Sequence, residues 1–174
     1  MANELDNRTI GVFVEALFED LELWYPLIRM REAGAQTRLI GPEKTTYHGK
    51  HGLSAEAENT AESVKADALD ALIIPGGYAP DKMRRDEAML ELVRGVSALE
   101  RPVAFICHAG WVPISAGIVR GRRVTSAPSI RDDLINAGAD WEDHAVVIDG
   151  PLISSRHPGD LPVFCQALIA ALSE

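Results

Sequence analysis

The sequence predicts a doubly wound, three-layer α/β sandwich with a mostly parallel sheet. Two observations carry this. Short apolar runs alternate along the chain with longer helical patterns. Those runs are continuously apolar rather than alternating, as strands buried on both faces require. The 174 residues fit a single domain, 1–174, with a full-sized core. No repeat, low-complexity tract or linker divides them.

The elements follow in order. TIGVFV, Thr9 to Val14, is rich in β-branched residues and reads as a buried strand. FEDLELWYPLIRMREAG follows as a helix with Leu23, Trp24, Leu27, Ile28 and Met30 on its apolar face, stopped by Gly34. Pro26 lies inside that pattern, so the helix either starts late or kinks there. QTRLIG is the second strand. Pro42 to Leu53 is polar and interrupted by glycine, a loop or small irregular insertion. ALIIPGG is a wholly apolar strand ending in Pro75-Gly76-Gly77, and DKMRRDEAMLELVRGVSALE is one long amphipathic helix. PVAFIC is the next strand, and AGWVPISAG opens the next helix. RRVTSA is another strand, followed by a helix from about Pro128 to Asn136. HAVVIDGPLISS reads as a hairpin turned at Asp149-Gly150, and LPVFCQALIAALSE closes the chain as a helix.

Composition narrows the function. The formal net charge of -9 disfavours nucleic acid or an anionic membrane as partner, since both reward a basic face. No apolar run approaches the length of a membrane span, and MANELDNRTI carries no basic leader followed by an apolar stretch. A soluble, cytoplasmic protein is expected. The two cysteines, Cys107 and Cys165, are too few for a secreted disulfide scaffold. With no Cys-x-x-Cys and no His-Glu-x-x-His, neither a metal nor another cofactor is expected. Cys165 lies in an apolar helical pattern and reads as a small buried hydrophobe.

In such folds the site lies beyond the carboxyl ends of the strands. FVEALFEDLE, IIPGG and FICHAG all fall there. Cys107, between a buried strand and a helix, sits where a nucleophile elbow would be, with small Ala109 and Gly110 beside it. The amides and dipole of the following helix would favour thiolate; a buried, inert cysteine is the alternative. Glu15, Glu19 and Glu22 follow the first strand, which is expected to neighbour that of Cys107, and would share one helical face if the first helix begins early; a solvated acidic helix start is the alternative. Gly76 and Gly77 offer backbone N–H groups for an oxyanion hole shared with the amide of His108, or form an ordinary tight turn. Adjacent side chains on a turn diverge, so His108 is not assured as the partner of Cys107. The remote histidines His48, His51, His144 and His157 are further candidates for a base.

These segments together resemble the DJ-1/PfpI family, most of all its PfpI-type intracellular proteases and general stress proteins. GVFVEALFEDLELWYPLIRMREAG, GKHG, DALIIPGGYAPDKMR, RPVAFICHAG, SAGIVRGRRVTS, IRDDLINAGADW and LISSRHPGDLPVF match it nearly collinearly from Thr9 to the last helix. The resemblance implies a flavodoxin-like sandwich with Cys107 as the reactive elbow cysteine. It implies that Glu22, four residues before the helix proline, hydrogen-bonds that cysteine. It pairs His108 with an acid from a neighbouring subunit, here Asp81, and places Lys50 near the pocket. It also implies a homodimer or larger homo-oligomer.

Two departures stand out, beside a likeness to another family. Ala109-Gly110-Trp111 replaces the Gly-Pro that follows Cys-His in the proteases, so Trp111 would narrow or line the pocket mouth. Ala127 stands where the proteases carry a tyrosine. SSRHPGD is similar to the His-Pro-Glu of class I glutamine amidotransferases, but Gly159 replaces the glutamate that orients His157, and Asp160 is one position late.

Three activities fit. A Cys107 thiolate would attack small reactive carbonyls such as methylglyoxal, with Glu22 shuttling protons. Cys107, His108 and Asp81 would hydrolyse peptides across a subunit contact. Or Cys107 is an oxidisable sensor in a stress protein with little turnover.

Overall fold

The computed structural model describes residues 4–173. Met1–Asn3 of the N-terminal segment and Glu174 of the closing helix lie outside them. In chain order the elements are β1 (Thr9–Phe13), α1 (Asp20–Glu32), β2 (Gln36–Gly41), β3 (Thr46–His48), β4 (Ser54–Glu56), β5 (Asn59–Thr60), β6 (Ala71–Ile74), α2 (Ala79–Met83), α3 (Glu87–Ala98), β7 (Val103–Ile106), α4 (Trp111–Ala116), β8 (Arg123–Val124), α5 (Arg131–Asn136), β9 (Asp140–Trp141), β10 (Val147–Asp149), β11 (Leu152–Ser155) and α6 (Leu161–Ser173).

A seven-stranded sheet runs β10-β11-β7-β6-β1-β2-β5, parallel throughout except for the β10–β11 hairpin. Every residue of β6, β7 and β11 is buried. Successive strand side chains point to opposite faces, so both faces of the central sheet are covered by helices. Helix α1 packs with α6, and α3 packs with α4. This is the mostly parallel, flavodoxin-like α/β architecture.

Four details differ from the sequence expectation. First, β6 lies between β1 and β7, so the strand of Cys107 does not adjoin β1. Second, the long helix expected over Asp81–Glu100 is two, α2 and α3. Asp86 separates them: its backbone is extended (φ -97°, ψ 111°) and its carboxylate accepts from the Met89 N–H at 3.0 Å. An aspartate at that position favours a new N-terminus over continuation. Third, RRVTSA stays out of the main sheet, and its β8 pairs with β9. Fourth, the insertion at Pro42–Leu53 contains β3 and the turn that joins it to β4 in an antiparallel hairpin.

Helix α1 starts at Asp20 and runs through Pro26. A proline inside a helix leaves the carbonyl four residues back without its usual donor, here that of Glu22. Because the helix starts only at Asp20, Glu15 never joins the face of Glu22; its Oε1 instead accepts from the Ala16 N–H at 2.6 Å.

Replacing the cap is a direct test of the two-helix reading. Asp86→Ala is expected to cost about 1 kcal/mol of unfolding free energy in urea titration, with an unchanged slope. No loss would mean that α3 does not depend on this cap.

Candidate active site

The carboxyl ends of β1, β6 and β7 meet at one place. Cys107 follows β7 directly and adopts φ 62°, a left-handed conformation rare for a residue with a side chain. The strain turns the chain sharply into a turn of 3-10 helix (Cys107–Gly110) and then α4. The Ala127 N–H donates to the Cys107 carbonyl at 3.2 Å, which fixes the turn from its far side.

The next strand end, after β6, is built around two glycines. The Gly76 N–H donates to Glu22 Oε2 at 2.8 Å. A Cβ on Gly76 would lie 2.4 Å from that oxygen and 2.9 Å from Cys107 Cβ. The absent side chain is what lets Glu22 reach past β6 to the cysteine. Gly77 has φ 85°, and a Cβ there would strike the Glu19 nitrogen at 2.4 Å. The two strand ends are stitched together: Glu19 N–H donates to the Gly76 carbonyl and Tyr78 N–H to the Leu17 carbonyl.

The third part comes from the β3–β4 turn. Asp20 is buried and accepts from the His51 and Leu53 N–H groups at 2.9 and 2.8 Å. Gly49 leaves room for its carboxylate. This anchors Lys50, whose Nζ bonds Glu19 Oε2 at 3.0 Å and lies 5.1 Å from the Tyr78 ring centre.

The electrostatics follow from burial. Glu22 is 0 % exposed. Desolvation pushes its carboxyl up to about 8, against the opposing Gly76 hydrogen bond. Glu22 Oε1 is buried with no hydrogen-bond partner of ordinary geometry, and the charge of Glu22 is coupled to the Cys107 thiol. Burial, then the charge of Glu22, pushes that thiol up to about 12, although the His108 and Gly77 backbone amides both point at the sulfur. Both effects run against the thiolate expected from the helix N-terminus. Burial thus favours the thiol of Cys107 and the protonated carboxyl of Glu22.

His108 also differs from expectation. Its ring does not diverge: Nδ1 lies 3.2 Å from Cys107 Sγ. The left-handed turn at Cys107 brings the two side chains round to the same side. Nε2 lies 2.9 Å from Ser129 Oγ. Burial, then the charge of Lys50, lowers the pKa of His108, so the ring is neutral. The ring also leans on Trp111, with centroids 5.5 Å apart. Trp111 is pinned in turn by its Nε1–H to Asp133 at 2.8 Å and by Arg84 over its face.

The structure thus gathers Cys107, Glu22, His108, Gly76, Gly77, Lys50 and Trp111. Gly76 serves the carboxylate of Glu22, so its N–H is not free for an oxyanion; the Gly77 and His108 amides are the donors aimed at the sulfur. Asp81 is exposed and pairs with Arg85 at 3.3 Å. His157 is spent in its own loop, where Nδ1 accepts from the Gly159 N–H and Nε2 faces Asp160. Asp160 forms its main ion pair with Arg156 at 2.9 Å. Cys165 is buried in α6. Two residues escaped the sequence reading. Ser129 carries no motif, and the buried Asp20 looked like one acid of a polar helix start.

A parallel α/β sandwich with a strained cysteine beyond a central strand, flanked by a buried acid and a histidine, defines a class of cysteine-elbow proteins. The chain belongs to the DJ-1/PfpI family, whose model matches residues 8–171. It is 44% identical over 155 residues to the deglycase PfpI of Pyrococcus furiosus, covering 89% of this chain and 93% of that one. It is 38% identical over 162 residues to the putative cysteine protease YraA of Bacillus subtilis, covering 91% and 94%. Among solved structures, it superposes on a two-domain protein of Anabaena variabilis with DJ-1/ThiJ/PfpI-like and ferritin-like domains, with TM-score 0.94 and 38% identity. That match covers 95% of this chain and about half, 48%, of the other. Drosophila melanogaster DJ-1beta matches with TM-score 0.89 and 25% identity, over 95% and 90% of the two chains.

The raised acid gives a pH signature of stability. Between the ordinary value of 4.5 and about 8, folded Glu22 keeps a proton that the unfolded chain has released. That contribution is complete below 4.5 and is lost as pH rises through about 8. From about pH 5 to about 9, the melting temperature of the wild type should therefore fall relative to that of Glu22→Gln. Parallel curves would show that Glu22 is ionised in the folded chain.

Proposed function

We propose that this chain is a cysteine-dependent enzyme acting on small reactive carbonyls, with Cys107 as nucleophile. The observation that supports this most is the buried Glu22, held as an acid beside the sulfur with Oε1 otherwise unpartnered. A carbonyl oxygen that becomes an alkoxide needs a proton donor there. The deglycase names of relatives point the same way.

For a 2-oxoaldehyde the sequence balances as follows. The Cys107 sulfur attacks the aldehyde carbon as its proton passes to neutral His108 Nδ1. The carbonyl π bond breaks, and Glu22 gives its proton to the oxygen, completing a hemithioacetal. The Gly77 and His108 amides stabilise charge on that oxygen as it develops. Glu22, now a carboxylate, takes the C–H proton and returns it to the neighbouring carbon, while the hydroxyl proton of the hemithioacetal passes to that carbon's oxygen, which leaves a thioester of the 2-hydroxy acid. Water adds to the thioester carbon and gives a proton to the Glu22 carboxylate; the C–S bond then breaks, and the proton on His108 returns to the sulfur. The net reaction is oxoaldehyde plus water to 2-hydroxy acid.

A second reading, peptide hydrolysis, is favoured by the Cys107–His108 contact at 3.2 Å, which suits acyl transfer. In it, Asp81 would act on His108 of a second copy. Self-association is proposed on a separate observation. Leu21, Tyr25 and Ile28 form one stripe on α1 and are 55%, 39% and 58% exposed, beside Leu17 at 44%.

Purified protein given methylglyoxal should yield lactate, and Cys107→Ser should abolish the turnover. Its kcat/KM should fall as pH rises through about 8, where Glu22 loses its proton. Turnover that survives the serine change, or cleavage of fluorogenic peptides without any lactate, would overturn the carbonyl reading. In sedimentation velocity the wild type should run larger than one chain, and Ile28→Asp should shift it toward the monomer. Identical profiles would remove α1 as the contact.

A further inference from the structure

We infer that Ser129 is a positioning residue that holds the His108 ring against Cys107 from within the same chain. The inference rests on Cys107 being the reactive thiol, as proposed above. Its basis is a relay of two contacts: Cys107 Sγ to His108 Nδ1 at 3.2 Å, and His108 Nε2 to Ser129 Oγ at 2.9 Å. A histidine acting as a base is commonly oriented by a group on its second nitrogen. Here the group on that nitrogen is a hydroxyl.

The segment carrying Ser129 is placed by the elbow itself. The Ala127 N–H donates to the Cys107 carbonyl, and the Ile130 N–H closes back on the Ala127 carbonyl at 3.1 Å. Pro128 restricts the backbone between them. Ile130 then packs against Gly110, where a Cβ would meet Ile130 Cδ1 at 3.0 Å. Ser129 therefore cannot shift without moving contacts to Cys107 and Gly110. It is exposed, so its hydroxyl is not needed to satisfy the core.

A hydroxyl has a property that a carboxylate lacks: it both donates and accepts. When Ser129 accepts from Nε2–H, the lone pair of Nδ1 faces the thiol and can take its proton. The resulting imidazolium still donates Nε2–H to Ser129, while Nδ1–H donates to the thiolate. When Ser129 instead donates to Nε2, Nδ1–H stabilises a sulfur already ionised. The ring is held in every protonation state, and no charge is added that would raise the pKa of His108. The proton on the thiol ends on Nδ1, with no other atom gained or lost.

The test reads the thiol directly. Cys107 alkylation by iodoacetamide is followed by mass spectrometry across about pH 6 to about 10 in the wild type, Ser129→Ala and Ser129→Thr. Loss of the ring's hold should move the Ser129→Ala profile to higher pH and slow alkylation near neutrality by roughly 10-fold. Ser129→Thr, which keeps the hydroxyl, should restore the wild-type profile. Buried Cys165 in the same spectra serves as the folding control and should stay equally slow in all three. Superimposable profiles for the wild type and Ser129→Ala, or a threonine variant as slow as the alanine one, would overturn the inference. Alkylation needs no carbonyl substrate, so failure of the proposed turnover and failure of this relay show up in separate measurements.

Discussion

The site depends on Gly76 having no side chain. Strand β6 separates β1 from β7, so an acid following β1 and a cysteine following β7 stand two strands apart. They meet only because the chain between them presents bare backbone. The Gly76 N–H fixes one oxygen of Glu22, and the space where its Cβ would lie is shared by Glu22 Oε2 and Cys107 Cβ. Any larger residue would hold the acid and the thiol apart, whatever the rest of the fold did.

Burial then sets the chemistry of that meeting. Glu22 and Cys107 are both pushed toward their protonated forms, and His108 toward its neutral form. Each charge raises the cost of another in low dielectric, so burial favours the protonated acids and the neutral imidazole together. The positive charge of Lys50 is already taken by Glu19, which leaves the backbone amides as the main donors to the sulfur.

Around this centre, loops are fastened to each other more than to the sheet. Asp20 ties the β3–β4 turn to the start of α1, and the Leu17–Glu19 and Gly76–Tyr78 segments exchange backbone bonds. Leu17 and Cys107 both take left-handed conformations, at φ 65° and 62°. Strain of this kind persists only where neighbouring contacts hold it in place. On the opposite wall, Trp111 is fixed by Asp133 and Arg84 and buttresses the His108 ring. Trp111 thus forms part of the support of the histidine.

By itself, the sequence determined the layers, the order of most elements and the three strand ends where chemistry would gather, because continuous apolar runs and glycine stops are local signals. Cys107 was legible from its place between a buried run and small residues, and Glu22 only through the family resemblance. The helix break at Asp86 was legible too, since an aspartate before Glu87 is a capping signal, but the amphipathic pattern around it masked the cap. Only the tertiary structure decided the rest. It placed β6 between β1 and β7, brought Ser129 from a distant turn onto His108, and set the His108 ring between the sulfur and Trp111. It also reversed the expected direction of the thiol's pKa. The reason is common to all of these: they depend on which groups exclude water from one another across the fold, and spacing along the chain does not record that.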